Sequence, residues 1–250
     1  MKIKDWNNRE IKVVQSAGGV IAIVNPYDNL VSTNIFPWPP SEIIQKLYKS
    51  RQERAFGVKH RKDATSFIGY YSDLQSVHSE DAITWSIFGT IAYAETIVRN
   101  RWIQDLLKKI GEEPMPVKHS NIFLWRRTTH PDTFVSGGPE IDFGIYTGNI
   151  LLLGEAKWLS SVGTNQGKKK DKDQIQLRVE FLNKFANQLY NCPEKLILLG
   201  VGLKNDIIKN CMRGNVQCKG ITWDEVCDIA SHPLANELRR YLDWKKNIKK

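Results

Sequence analysis

Apolar residues fall at helical spacing in two long stretches. After Ser79, a capping residue, Ile83, Ile87, Phe88, Ile91, Ala94 and Val98 share one side of a helix. Trp102, Leu106 and Ile110 extend it to a stop at Gly111, with Pro114 and Pro116 beyond. After Asp173, Ile175, Val179, Leu182, Phe185 and Leu189 mark a second helix to about Tyr190. Between them lie three extended runs, Asn121–Arg127, Glu140–Tyr146 and Ile150–Lys157. Leu196–Val201 is an unbroken apolar run, the pattern of a strand covered on both faces. A short strand at Ile221–Trp223 and helices at Asp224–Ala230 and Leu234–Ile248 complete the pattern.

The first 78 residues are less regular. Ile11–Val14 and Val20–Val24 flank Gly18-Gly19 as a hairpin, and Ser41 caps a helix to about Arg54. Phe36-Pro37-Trp38-Pro39-Pro40 is irregular because proline removes donors and restricts the residue before it. Residues 55–78 show no period. The chain is therefore expected to be α/β, a mixed central sheet flanked by helices. The helix between Ile150–Lys157 and Leu196–Val201 implies a right-handed parallel crossover. Residues 1–78 are expected to form an N-terminal β/irregular and helical region that supplies partner contacts or dimer surface, and 79–250 one compact core with C-terminal helices.

One turn organises the chemistry. Gly148-Asn149 suits a two-residue hairpin, with Gly148 supplying the positive φ of the first central position. Closing the hairpin there pairs Thr147 with Ile150. Counting back sets Asp142 opposite Glu155, and Glu140 opposite Lys157. Lys157 shares a face with Glu155 because strand side chains alternate. Two neighbouring carboxylates repel unless a cation lies between them, and hard divalent ions take carboxylate oxygens while keeping several waters. A slip of one residue would send the two acids to opposite faces.

Charge points the same way. The chain has 36 Lys and Arg against 27 Asp and Glu, a net +9 with pI near 9.3. That excess favours polyanions, whose condensed counterions are released on binding. The four cysteines, Cys192, Cys211, Cys218 and Cys227, contain no C-x-x-C pair and read as reduced thiols rather than a zinc site. The five histidines show no metal spacing, and no Gly-rich phosphate loop or G-x-S-x-G motif is present. No apolar run reaches the roughly 20 residues of a membrane span. The N-terminus lacks an apolar leader, so an intracellular, cytoplasmic protein is expected.

Asp142 before the hairpin and Glu155-Ala156-Lys157 after it resemble the PD-(D/E)xK nuclease superfamily, the restriction-endonuclease-like fold. Helix, three strands, helix and strand over residues 79–203 look like its αβββαβ core. The literal Pro-Asp pair is absent: Pro139 is followed by Glu140, and a different turn would make Glu140 the first acid. The resemblance implies that Asp142 and Glu155 ligate Mg²⁺, with Mn²⁺ able to substitute, and that the Ala156 carbonyl adds a ligand. Lys157 is then the catalytic lysine. Some members add a Glu from the helix before the sheet, for which Glu80 is the candidate. Glu80 and Asp81 also suit the positive end of that helix. Some members place a Gln on the next helix. Gln174 is the candidate there, whereas Gln176 reads with Asp173 as a capping pair.

Lys168-Lys169-Lys170, just after the site, reads as a phosphate-gripping loop or as a solvated charge run. Arg126 and Arg127 could grip backbone phosphates. Trp38, Phe56, Phe67, Tyr70 and Tyr71, among Arg51, Arg54, Lys59, Arg61 and Lys62, stack on bases or fill a core. The expected function is a Mg²⁺-dependent endonuclease of double-stranded DNA, a type II restriction enzyme acting as a homodimer. A structure-directed repair or junction nuclease, a defence-system nuclease, and a non-catalytic DNA-binding protein on such a scaffold are the alternatives.

Overall fold

The computed structural model describes residues 1–15, 21–48, 73–113, 115–131, 138–164, 166–167 and 169–248. The Gly18-Gly19 turn, the basic-aromatic stretch from Arg51 to Tyr71, and Lys168 lie outside them. The chain divides into two compact units, Met1–Thr90 with Leu234–Lys250, and Ile91–Pro233. The boundary thus falls at residue 90 rather than 78, and the C-terminal helix belongs to the first unit.

In the first unit, β1 (Lys2–Lys4), β2 (Glu10–Gln15) and β3 (Ile21–Ile23) form an antiparallel sheet in chain order. The helix α1 (Ser41–Tyr48) follows, then α2 (Glu80–Thr84), capped as expected by the Ser79 hydroxyl, which accepts from the Ala82 N–H at 3.1 Å. α2 does not continue as a regular α-helix. A π-helical turn, Trp85–Gly89, interrupts it before the short α3 (Thr90–Ala92). Ser86 and Thr90 hydroxyls donate back to the carbonyls of Ala82 and Ser86 at 2.8 and 2.7 Å, competition that bends helices. The apolar period therefore runs through a stretch that the backbone breaks.

The C-terminal helix of this unit, called α7 below (Ala235–Asn247), closes its core. Trp6 packs edge-on against Tyr241, with ring centroids 4.8 Å apart, and its Nε1 donates to Glu237 at 3.1 Å. Trp244 packs against the cluster of Ile11, Val13, Ile21, Ile23 and Val77. Lys245 is 1% exposed, and its Nζ donates to the Val77 carbonyl at 2.7 Å. Burial pushes its ammonium from an ordinary 10.5 down to about 7. Below the folded value, both folded and unfolded chains are charged and the burial penalty is fully present. It is relieved as pH climbs from the folded towards the unfolded value, so stability rises across that window. Lys245→Met is expected to raise the melting temperature at about pH 6 and to flatten that rise; melting curves of both proteins between about pH 6 and 10 check it. An unchanged slope in the variant would show that Lys245 is not its source.

In the second unit, α4 (Thr96–Lys109) precedes β4 (Asn121–Arg127), β5 (Glu140–Tyr146) and β6 (Ile150–Ala156). Arg99 Nη1 donates to the carbonyls of Ala92 and Ala94 at 3.0 and 3.2 Å, satisfying the chain end where α4 starts afresh at Glu95. Then come α5 (Gln174–Leu189), β7 (Lys195–Gly202), β8 (Cys211–Arg213), β9 (Val216–Thr222) and α6 (Trp223–Cys227). Among the described residues, six strands form one mixed sheet in the order β4-β5-β6-β7-β9-β8. β4, β5 and β6 are antiparallel neighbours, β6, β7 and β9 are parallel, and β8 runs against β9. Helices flank this sheet. Ile175, Val179, Leu182 and Phe185 of α5 pack on Leu151, Leu153, Leu196 and Leu198. β6 is buried along its whole length, as a central strand must be.

Trp223 is not the strand end expected. It opens α6 behind a capping box in which Thr222 and Glu225 exchange bonds. Glu112 draws β7 and β9 together: its carboxylate meets Lys195 Nζ at 2.9 Å and Lys219 Nζ at 3.0 Å.

Candidate active site

The β5–β6 hairpin has the register that the turn implies. Gly148 takes φ +86°, and the Thr147 N–H donates to the Ile150 carbonyl at 3.0 Å. Tyr146 faces Leu151, Gly144 faces Leu153, and Phe143 faces Gly154. The ladder stops there, and its register continued by one step sets Asp142 beside Glu155. Two glycines lock this alignment. The Phe123 ring lies on Gly144, and the Phe143 ring lies on Gly154, where an added Cβ would come within 2.1 Å and 2.0 Å of ring atoms. Aromatic rings covering cross-strand glycines pin a register, because a slip uncovers the rings.

The ladder ends at the acids. Asp142 Oδ2 accepts the Ala156 N–H at 2.8 Å, taking an amide beyond the last ladder pair. On the β4 side, Leu124 pairs with Phe143 and Arg126 with Ile141, but the intervening Trp125 has φ +53°. A bulky residue in the left-handed region costs about 1–3 kcal/mol and persists only where its surroundings over-determine it. The sheet is thus distorted on the strand flanking Asp142.

Glu155 is fully buried, with Lys157 Nζ 2.8 Å from Oε1 and Arg178 Nη2 3.2 Å from Oε2. Arg178 is 1% exposed and also donates through Nη2 to the Glu140 carbonyl. Neither oxygen of Glu155 has a hydrogen bond of good geometry, nor do Nε and Nη1 of Arg178. These ions are held by charge rather than by satisfied hydrogen bonds. Burial and the neighbouring Glu155 carboxylate push Asp142 well above the ordinary carboxylate range, against the opposing pull of Lys157, the Ala156 amide and Arg178. Asp142, Glu155, Lys157 and Arg178 carry formal charges that cancel. The Trp223 indole donates to the Lys157 carbonyl at 2.8 Å and fixes the backbone of the lysine from α6.

This donor set suits a hard divalent cation of modest protein coordination. Asp142 and Glu155 are neighbouring carboxylates, and the oxygens of Glu155 face Lys157 and Arg178 without a hydrogen bond of good geometry. Among the described residues no group of three or more His, Cys, Asp or Glu side chains is placed to hold a metal. Two carboxylates are few protein ligands, so an ion held here would have to keep several waters, as Mg²⁺ does.

The other sequence candidates fall in distinct places. Glu140 lends its backbone carbonyl to Arg178, while its side chain stands opposite Arg127 across β4–β5. Glu80 is half-buried in the first turn of α2, in the first unit, whereas the quartet lies within the second. Gln174 turns to the loop after β6: its Oε1 accepts the Gly163 N–H at 3.2 Å, and its own N–H donates to the Gly163 carbonyl. Asp173 caps α5 by accepting from the Gln176 N–H at 2.6 Å. Lys169 and Lys170 are exposed in that loop. Arg126 and Arg127 are exposed at the Asp142 end of β4, with the Arg126 guanidinium 5.5 Å from the centre of the Phe123 ring.

Arg178 is the residue that sequence reading misses. Its signal is present: it lies three positions after Ile175 and four before Leu182, within the apolar stripe of α5. A charge inside such a stripe needs a buried partner.

No helix among the described residues is long and apolar enough to cross a membrane. No family model, curated protein or solved structure matches the chain, so its chemistry is read from these side chains alone.

Proposed function

We propose that the chain is a Mg²⁺-dependent nuclease hydrolysing phosphodiester bonds of DNA. The observation that carries this reading is the juxtaposition of half-buried Asp142 with buried Glu155 and Lys157 at the end of the β5–β6 hairpin. The order of α4, β4, β5, β6, α5 and β7 supports the resemblance to the PD-(D/E)xK superfamily, and the net +9 charge favours a polyanionic substrate.

Asp142 and Glu155 would hold the ion, with the Ala156 carbonyl beside them. When bound, Mg²⁺ supplies Lewis-acid polarisation of a phosphoryl oxygen and acidifies a coordinated water. The chain's own part is placement. Asp142 is tied to β6 through the Ala156 amide, so the two strands cannot separate without losing the pair. Arg178 grips Glu155 and the β5 backbone together. Lys157 holds its ammonium at Glu155 Oε1, where it can offset negative charge growing on the scissile phosphate. Arg126, Arg127, Lys169 and Lys170 are exposed cations available to flanking phosphates. Within this reading a type II restriction enzyme acting as a homodimer is the leading form. A repair, junction or defence nuclease carries the same centre.

A second reading has its own observation. Glu155 already has two cationic partners, as a scaffold without a metal would require. On that reading the chain binds DNA without cutting it. Titration with Mn²⁺ by calorimetry, alongside cleavage of a defined plasmid with Mg²⁺, separates the two. The proposal expects metal binding by the wild type, its loss in Asp142→Asn, and cut plasmid with uniform ends for a restriction enzyme or scattered ends for a structure-directed one. DNA binding with neither metal uptake nor cleavage would establish the scaffold reading.

A further inference from the structure

The edge hairpin of the second unit holds a cysteine pair that the nuclease reading does not use. β8 and β9 are joined by a Gly214-Asn215 turn in which Gly214 takes φ +64°. The register pairs Arg213 with Val216, Met212 with Gln217, and Cys211 with Cys218. In a two-residue hairpin the closing pair exchanges hydrogen bonds, and so does every second pair beyond it. Cys211 and Cys218 therefore occupy a hydrogen-bonded site, where Cα atoms stand about 5.5 Å apart. Disulfides span Cα separations of about 4.4–6.8 Å, a range that includes this one.

The environments of the two thiols differ. Cys211 is exposed on an edge strand whose three residues all face solvent, while Cys218 is 1% exposed within the core beneath α5. Burial and the neighbouring Cys211 thiol push Cys218 up to about 11, against the pull of Arg213. The turn is also held from α5: Asn183 Oδ1 accepts the Asn215 N–H at 3.1 Å, and its Nδ2 donates to the Arg213 carbonyl at 3.3 Å. The hairpin thus presents the two sulfurs to each other on a fixed frame.

We propose that Cys211 and Cys218 form a reversible cross-strand disulfide, made by exchange with a small-molecule disulfide such as glutathione disulfide. The Cys211 thiolate attacks one sulfur of the oxidant, whose S–S bond breaks and releases one thiolate. Cys218 gives its proton to solvent and attacks the Cys211 sulfur, releasing the second thiolate. Two protein thiols are oxidised and one disulfide is reduced to two thiols. Cys211 opens the exchange because it is accessible, and the buried Cys218 resolves it because it is held opposite.

Trypsin cuts after Lys209, Arg213 and Lys219, which leaves the two cysteines on separate peptides, Asn210–Arg213 and Gly214–Lys219. The folded full chain, as wild type and as Cys192→Ser, is equilibrated with glutathione disulfide, alkylated and digested without reductant. The expected result is one species joining those two peptides, about 2 Da lighter than their summed masses and split by added thiol. In Cys218→Ser the expected product is a lasting glutathione adduct on Cys211. Two alkylated thiols, or a persistent adduct on Cys211 with Cys218 intact, would overturn the proposal.

Discussion

Lys157→Ala is expected to lower Mg²⁺-dependent cleavage by about 10²–10⁴-fold, the range that one positioned proton-transfer or charge-stabilising group supplies. The loss belongs to the ammonium, because the backbone contribution of this residue survives: the carbonyl that accepts from Trp223 remains in the variant. Glu155 also keeps Arg178 as a partner, so the carboxylate is not stranded. Lys157→Arg retains the positive charge but moves it onto a longer planar group, and is expected to restore the pairing without restoring the rate. Single-turnover cleavage of plasmid by the three proteins, with melting curves to confirm folding, decides the matter. Cleavage by Lys157→Ala at the wild-type rate would remove the lysine from the mechanism.

Glu155→Gln is expected to cost about 3–5 kcal/mol of stability in the metal-free protein, the range for breaking a buried ion pair from one side. The variant takes from Lys157 and Arg178 the carboxylate that both of them meet and leaves Asp142 as the one remaining acid of the quartet. Asp142→Asn should behave in the opposite sense. It keeps an oxygen for the Ala156 amide and removes the buried charge and its repulsion by Glu155, the two causes that raise the Asp142 proton affinity. The sign with pH follows. A carboxyl whose folded pKa is raised stabilises the fold fully below its unfolded value of 3.8, and that contribution is lost as pH rises through the folded value. Asp142→Asn removes this decline and is expected to be no less stable than the wild type at neutral pH. Calorimetric melts of the metal-free proteins test both substitutions. Equal destabilisation by the two would contradict the charge assignment.

The parts of this arrangement that were legible in the sequence are those governed by local rules. Gly148-Asn149 set the turn, and the turn set every pair down to Asp142 and Glu155. The apolar stripe of α5 and the run of β7 were readable because each is buried along a regular period. What escaped depends on side chains reaching across the fold. Arg178 acts on Glu155 and on the carbonyl of Glu140, 38 positions away, which no local pattern records. The interruption after Thr84 arises from hydroxyls that bond backward within an otherwise helical period. Two local signals were present and unused. Thr222 with Glu225 is a capping box, and Gly214-Asn215 repeats the dipeptide that turns the β5–β6 hairpin. The turn was obscured because β8 is only three residues long and fully exposed, so no apolar alternation marks it.

The first unit is assembled from two separated stretches of chain, and this fixes the timetable of its folding during synthesis. The second unit is complete in sequence by Pro233, before any of α7 has been translated. Trp6, Ile11, Val13 and Ile23 must meanwhile wait without Tyr241 and Trp244, the rings that cover them. The earliest-made apolar residues are therefore the last to be shielded, and a nascent chain stalled before α7 presents them to chaperones and to neighbouring chains.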